Sequence, residues 1–229
     1  MTYGLTDRFD IKMGFVQTKN DDDDFGPRSD AAMIQGSFQP NDKTALSLQF
    51  GELIEHGSMF GGTSQGLFSV DEASTTAVGF SGRVKLNENV AVFSSYSRGV
   101  TRVSDKATSV IQDVSNLRSE SYGIGLSGRS LFRNNDRFGV AVSRPMRVTG
   151  GNARLDVPTA IDAANRITIE SETIDLSPTG HETDLEAYYK LKTRKDSEYG
   201  LYFLFRQEPY HYEGLSSEVR MYMTYASRF

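Results

Sequence analysis

Along most of the chain apolar and polar residues alternate with a period of two, the period of a strand with unlike faces. Tyr122, Ile124, Leu126 and Phe132 fall on one side, Gly123, Gly125, Ser127 and Arg129 on the other. The same alternation sets Phe9, Ile11, Met13 and Phe15 against Asp10, Lys12 and Gly14, and Val78, Phe80, Val84 and Leu86 against Gly79, Ser81, Arg83 and Lys85. Further on, Leu185, Ala187, Tyr189 and Leu191 oppose Asp184, Glu186, Tyr188 and Lys190, and Tyr199, Leu201, Phe203 and Phe205 oppose Gly200, Tyr202, Leu204 and Arg206. Over 90–97 both faces are mixed. Ten strands are predicted in all.

The chemistry of the second face narrows the fold. The water-facing side of a soluble sandwich is commonly rich in Lys, Glu and Thr. Here it holds glycine, alanine and serine with charges mixed in, which suits a crowded hydrophilic interior. The first face is apolar with aromatics near the strand ends, which suits lipid and its interfacial girdles. Connections alternate between short ones (Pro40 to Lys43, Asn87 to Asn89, Arg133 to Asp136, Arg194 to Ser197) and long ones (about 19–29, 57–73, 105–118, 147–180 and 209–216). Tight turns on one side and long loops on the other are the habit of outer-membrane barrels. The prediction is all-β: an up-and-down antiparallel transmembrane β-barrel, residues 1–229 forming one domain, both termini on the short-turn side. Two residues break the pattern. Pro145 falls late in a strand and predicts a bulge or the point where membrane pairing ends, and Glu52 shares the apolar phase and is expected near the external rim.

Composition agrees by exclusion. No cysteine is present, so disulfides and thiolate sites are ruled out. A net charge of −5 argues against a nucleic-acid binder. Mean hydropathy is −0.44, and no window approaches the ~18 apolar residues of a spanning helix. Met1-Thr2-Tyr3-Gly4 does not open a signal peptide. The chain is therefore read as the C-terminal part of a longer exported precursor.

The end of the chain places Val219, Met221, Met223, Tyr225 and Phe229 in one alternating phase, broken at Ser227. A strand with a terminal aromatic is the kind of signal that the barrel assembly machinery reads by strand addition, and Phe229, Tyr225, Met223 and Met221 are assigned that role. The charges of the other phase, Lys12, Arg83, Lys85, Arg129, Asp184, Glu186, Lys190, Arg206 and Arg220, are predicted to face the lumen. They would line a pore or pair across a narrow, largely filled interior. The expected surroundings are outer-membrane lipid and lipopolysaccharide.

The run GELIEHGSMFGGTSQGLF from Gly51 to Phe68, Tyr96 to Thr101, and the terminal Phe229 resemble the C-terminal region of subtilisin-like serine peptidases exported by alphaproteobacteria as autotransporters. The resemblance implies a translocator or anchor for a covalently attached N-terminal passenger, in the manner of type V secretion. It also implies twelve strands, reached if an N-terminal hairpin is missing or if 147–180 supplies one.

Catalytic chemistry finds little footing. Gly62-Thr63-Ser64 resembles a subtilisin serine motif, but the Met-Ala-x-Pro continuation and the Asp and His partners are missing. A serine without its base is not an activated nucleophile. His56, His181 and His211 have no metal-ligand spacing. His211, between Tyr210 and Tyr212 and near Glu213, is the nearest analogue of an omptin-type rim histidine and is read as part of an aromatic girdle. Asn20 to Asp24 is read as a solvated acidic loop rather than a Ca²⁺ site. No catalytic residue, metal or cofactor is assigned. The translocator reading is set beside three rivals: a free-standing porin-like barrel, a soluble β-barrel binding module and an omptin-like protease.

Overall fold

The computed structural model describes residues 2–19, 28–59, 62–63, 66, 69–105, 109–161, 163–193 and 197–227. Chain order gives β1 (Thr2–Thr6), β2 (Phe9–Lys19), β3 (Arg28–Asn41), β4 (Thr44–His56), β5 (Ser58–Met59), β6 (Gly62–Thr63), β7 (Val70–Lys85) and β8 (Val90–Asp105). There follow β9 (Ile111–Gln112), β10 (Leu117–Arg129), β11 (Asp136–Gly150), β12 (Asn152–Ile161), β13 (Ile167–Asp175), β14 (Thr183–Lys192), β15 (Ser197–Gln207) and β16 (Glu218–Ser227). Eleven of these form one antiparallel up-and-down sheet in the order β1-β2-β3-β4-β7-β8-β10-β11-β14-β15-β16. Among the described residues the sheet is not closed: β1 and β16 are its edges.

The period-two alternation becomes an apolar belt because register keeps the apolar phases of neighbouring strands on one face. Phe38 lies opposite Leu46, Leu48 opposite Phe80, and Phe80 opposite Tyr96. Tyr96 then meets Tyr122, Ile124 meets Val142, and Val142 meets Leu185. The row continues through Phe205 to Val219. A slip of one residue at any pair would turn a greasy set onto the polar side. The belt side chains are exposed; Phe15, Ile124 and Met223 are 68%, 58% and 80% accessible. On β15 the belt runs from Tyr199 to Phe205, ~20 Å along the strand at about 3.4 Å per residue. That approaches the apolar band of about 25 Å that outer-membrane barrels show lipid. At the short-turn rim, rings edge one another: Phe132 with Phe138 at 6.0 Å and with Tyr189 at 6.2 Å, and Tyr199 with Tyr225 at 5.0 Å.

The turns explain where strands stop. The side chain of Asn41 accepts from the Lys43 N–H, and that of Asn87 from the Asn89 and Val90 N–H groups. Asp136, almost fully buried, accepts from the N–H groups of Leu131, Phe132 and Arg133 at 2.9, 3.0 and 2.8 Å and from the Tyr189 hydroxyl at 3.1 Å. One carboxylate thus closes the turn between β10 and β11. Pro145 sits where the β10–β11 register slips between Tyr122–Arg144 and Glu120–Arg147, just past the last β11–β14 pair at Ser143–Asp184. A bulge there removes the need for its missing N–H. Glu52 is exposed, in the belt phase and beside Ala32 and Thr76 toward the long loops.

Three expectations are corrected. Among the described residues the main sheet has eleven strands, where the alternation predicts ten and the resemblance implies twelve, because a short β1 joins β2 through Asp7-Arg8, a turn without the usual Gly or Asn signal. The odd strand β1 runs down toward the short turns from Thr2, opposite Lys12 partway along β2, whereas β16 runs down to Ser227 at the short-turn end, so the first and last described strands point the same way. The region 147–180 does hold a hairpin, β12–β13, but it joins β9 in a separate three-stranded sheet and adds nothing to the main one. The mixed segment at Val90 is half of β8, where Val92 and Tyr96 lie in the belt while Phe93 lies on the polar side across Gly125. A ring on the polar face obscured the alternation.

The hairpin is pinned by charge. Arg154 contacts both Asp156, at 3.0 Å, and Asp113, and the Ser171 hydroxyl donates to Asp156 at 2.6 Å. The Ser171 hydrogen bond and then Arg154 hold the Asp156 carboxyl below the usual carboxylate range. Stability from a depressed carboxylate is present above the unfolded value and is lost as pH falls through the folded one. Amide protection factors, corrected for the intrinsic pH dependence of exchange, are therefore expected to be high across 152–161 and 167–175 at neutral pH and to fall below about pH 4; equal protection on both sides would refute the coupling.

The belt yields a second test. Ile124→Arg, at the middle of the β10 belt, is expected to cost ~2–4 kcal/mol in urea unfolding from phospholipid vesicles, against little for Ser81→Lys on the other face.

Candidate functional site on the polar face

The other side of the sheet carries the chemistry. Register places all nine predicted charges, Lys12, Arg83, Lys85, Arg129, Asp184, Glu186, Lys190, Arg206 and Arg220, on this one face. One cross-strand row reads Asp10, Ser37, Ser47, Ser81, Ser95, Gly123, Ser143, Asp184, Arg206 and Glu218. After Asp10 the row is neutral and hydroxyl-rich as far as Ser143, and from Asp184 to Glu218 it is charged. In the neutral half, side chains bond across strands: Ser37 with Ser47 at 3.3 Å, Thr75 with Thr101 at 2.7 Å, Ser97 with Ser121 at 2.7 Å.

Glycines on this face have a specific task. Tyr188 lies across Gly139, Phe93 across Gly125 and the Gln49 side chain across Gly79, each so close that a Cβ would collide with it. The absent side chain lets a neighbour lie flat on the sheet. This is the physical content of the small-residue bias read from the sequence.

The charges divide into two groups. Toward the long loops, Arg206 pairs with Glu182 at 2.8 Å, Asp184 at 3.2 Å and Glu218 at 3.7 Å, and Arg220 pairs with Glu218 at 2.9 Å. Near the other edge of the sheet Lys12 approaches Asp10 at 4.0 Å. Toward the short turns the balance is different. Arg83, Lys85, Arg129, Arg137 and Lys190 gather there; Lys190 reaches Glu198 at 3.8 Å, and Arg129 donates to the main-chain oxygen of Glu88 at 3.3 Å. Among the described residues Arg83, Lys85 and Arg137 make no ion pair. Arg137 was not singled out from sequence. Its place opposite Arg129 and Lys190 is a matter of register, which only the fold supplies.

The loops above the acidic group are tied down. Arg147 donates to the carbonyls of Gly180 at 2.9 Å and Pro178 at 2.7 Å. His211 is buried; its Nδ1 accepts from the Glu182 N–H at 3.0 Å, so Nε2 carries the proton and donates to the Met146 carbonyl at 2.9 Å. Both ring nitrogens are engaged with backbone, which leaves no free base for proton abstraction. The Glu182 and Glu208 carboxylates accept from the N–H groups of Tyr210 and His181, each at 2.6 Å. This is a loop anchor and not an omptin-like constellation. His56 lies apart, 3.4 Å from Glu72 on the belt side. No cluster of metal-ligating side chains occurs among the described residues.

Of the assembly-signal residues, Met221, Met223 and Tyr225 stand in the belt phase of β16, and Phe229 lies outside the described residues. Ser64 and Asn20 to Asp24 also lie outside them.

Comparison with known proteins gives one family. The profile of the carbohydrate-selective porins, OprB family, matches residues 6–196. No curated protein matches the chain.

Proposed function

The chain belongs to the carbohydrate-selective porin family OprB, and we propose that it works as a sugar-passing pore wall, not as a translocator for a passenger. The family is one of outer-membrane, non-enzymatic channels, so the chain is an outer-membrane β-barrel protein. The likeness of Gly51 to Phe68 to peptidase-linked autotransporters finds no support beside a family match that covers most of the chain.

One observation carries the reading: one face of an eleven-stranded sheet collects hydroxyls, amides and charges, while the other is a predominantly apolar belt whose charges, such as Glu52 and Arg102, lie toward the long loops. Closed with that belt outward, the sheet surrounds water with hydroxyls, amides and charges. The nine charges named above then line the lumen. Hydroxyl ladders exchange hydrogen bonds readily with sugar hydroxyls, and the clustered charges give the passage its field.

Reconstituted into planar bilayers, the protein is expected to give stepwise conductance, and liposomes carrying it are expected to swell in glucose. Sealed bilayers, with an upstream segment displayed at the cell surface, would instead favour the translocator.

The assembly machinery is proposed as a partner at β16. This strand is a sheet edge whose belt positions Val219, Met221, Met223 and Tyr225 are 62–80% accessible. Strand addition needs an open edge with side chains readable at every second position. Deleting Phe229, or replacing Met221 by Asp, is expected to lower the heat-modifiable form in outer membranes several-fold; unchanged levels would remove this role.

A further inference from the structure

At the short-turn end of the polar face, cations stand against cations. Arg129 of β10 lies directly opposite Arg137 of β11, and Arg137 directly opposite Lys190 of β14. Arg83 and Lys85 of β7 face the same space. Like charges in directly opposed positions destabilise a sheet. A side chain as long as arginine normally finds a carboxylate if one is in reach. Here Arg83, Lys85 and Arg137 have none among the described residues, although the chain as a whole is acidic. Two of the carboxylates nearby are committed, Asp136 to three turn amides and Glu198 to Lys190; Glu88 also lines the first cavity, one carboxylate among four cations. Two adjoining cavities, of about 450 and 540 Å³, open between these cations. Sites for small ligands have this size.

Beside the cations runs an aromatic row. Tyr188, Tyr202 and Tyr222 are directly opposed on β14, β15 and β16. Their ring centroids are 6.4 and 4.5 Å apart, the second pair nearly parallel at 9°. Tyr188 lines the first cavity, held flat by Gly139 beneath it. The Lys190 ammonium lies 5.5 Å from the centre of the Tyr202 ring. These tyrosines are on the polar side, so no lipid contact explains them. Each presents an apolar ring with a hydroxyl at its edge.

We propose that this juxtaposition is a binding track for an acidic sugar, a pyranose ring carrying a carboxylate. The C–H face of the ring packs against Tyr188, which lines the cavity, and its hydroxyls exchange hydrogen bonds with the hydroxyl edges of the stacked Tyr202 and Tyr222. The carboxylate takes the paired N–H donors of Arg137 and Arg129, a planar match that arginine offers and lysine does not. Arg83, Lys85 and Lys190 supply the field that draws the anion in. The ligand thus provides the countercharge that the sheet lacks. This assignment rests on the pore reading above and narrows it from sugars in general to negatively charged ones.

The test is block of the single-channel current by added solute, with the purified full chain in planar bilayers. Glucuronate is expected to block at concentrations at least tenfold lower than either glucose or acetate. In Arg137→Gln that preference falls to within a factor of about two, while thermal stability, followed by heat-modifiable migration, holds or rises because two like-charge contacts are relieved. Tyr202→Leu is expected to weaken glucuronate several-fold. Arg102→Gln, on the belt phase of β8, leaves the preference intact. Equal block by glucuronate and glucose would overturn the proposal while leaving the pore reading standing. Equal block by acetate and glucuronate would also overturn it, by showing a filter for charge alone. A protein that forms no channel would remove both.

Discussion

Backbone hydrogen bonding is the constraint from which the structure follows. In hydrocarbon no water is available to an N–H or C=O group, and each one left alone costs several kcal/mol. The eleven-stranded ladder meets this need along every interior strand, and it is why strands here are long, antiparallel and almost without interruption. Exceptions fall where they are harmless. Pro145 occupies a bulge past the last β11–β14 pair, and Pro209 opens a short 3₁₀ turn in a loop. The same rule bears on β1 and β16, since neither edge can meet lipid with its ladder unpaired.

Once the ladder is fixed, each strand has only two faces to allocate, and the sequence allocates them by solvent. The belt face spends its side chains on lipid, so Leu48, Ile124 and Met223 remain accessible without being a fault of packing. The polar face is governed by crowding. Its glycines accept the rings of Tyr188 and Phe93 and the amide of Gln49, and its serines pair across strands. Two charge groups with opposite habits share that face. Around Arg206 the charges neutralise one another and close onto a buried loop anchor; around Arg137 they do not. The first behaves as structure. The second is arranged as a field with a cavity in front of it, which is what a selective passage requires of its wall.

The family match and the physical reading converge from different directions. The profile match assigns an outer-membrane channel. The register explains how such a channel is made from this chain. The peptidase resemblance was carried by a glycine- and serine-rich run from Gly51 to Phe68 and by a terminal aromatic. Both are features that barrel strands and their external loops share for reasons of composition, and neither distinguishes a pore from a translocator.

Local alternation alone determined the strand type, the lipid-facing set and the polar set, because a side chain's face in a strand depends only on the parity of its position. It determined the short turns as well, since Asn41 and Asn87 act on N–H groups within three residues. What the sequence by itself left open were quantities that depend on which residues of distant strands stand side by side. The short β1 escaped notice because Asp7-Arg8 is an unmarked turn. The β12–β13 hairpin could not be assigned to the main sheet or away from it. The convergence of Arg129, Arg137 and Lys190, the stacking of Tyr188, Tyr202 and Tyr222, and the engagement of both nitrogens of His211 were decided by register and by loop closure. Those are long-range relations. Parity tells a residue which way to face, but only the assembled sheet tells it what it faces.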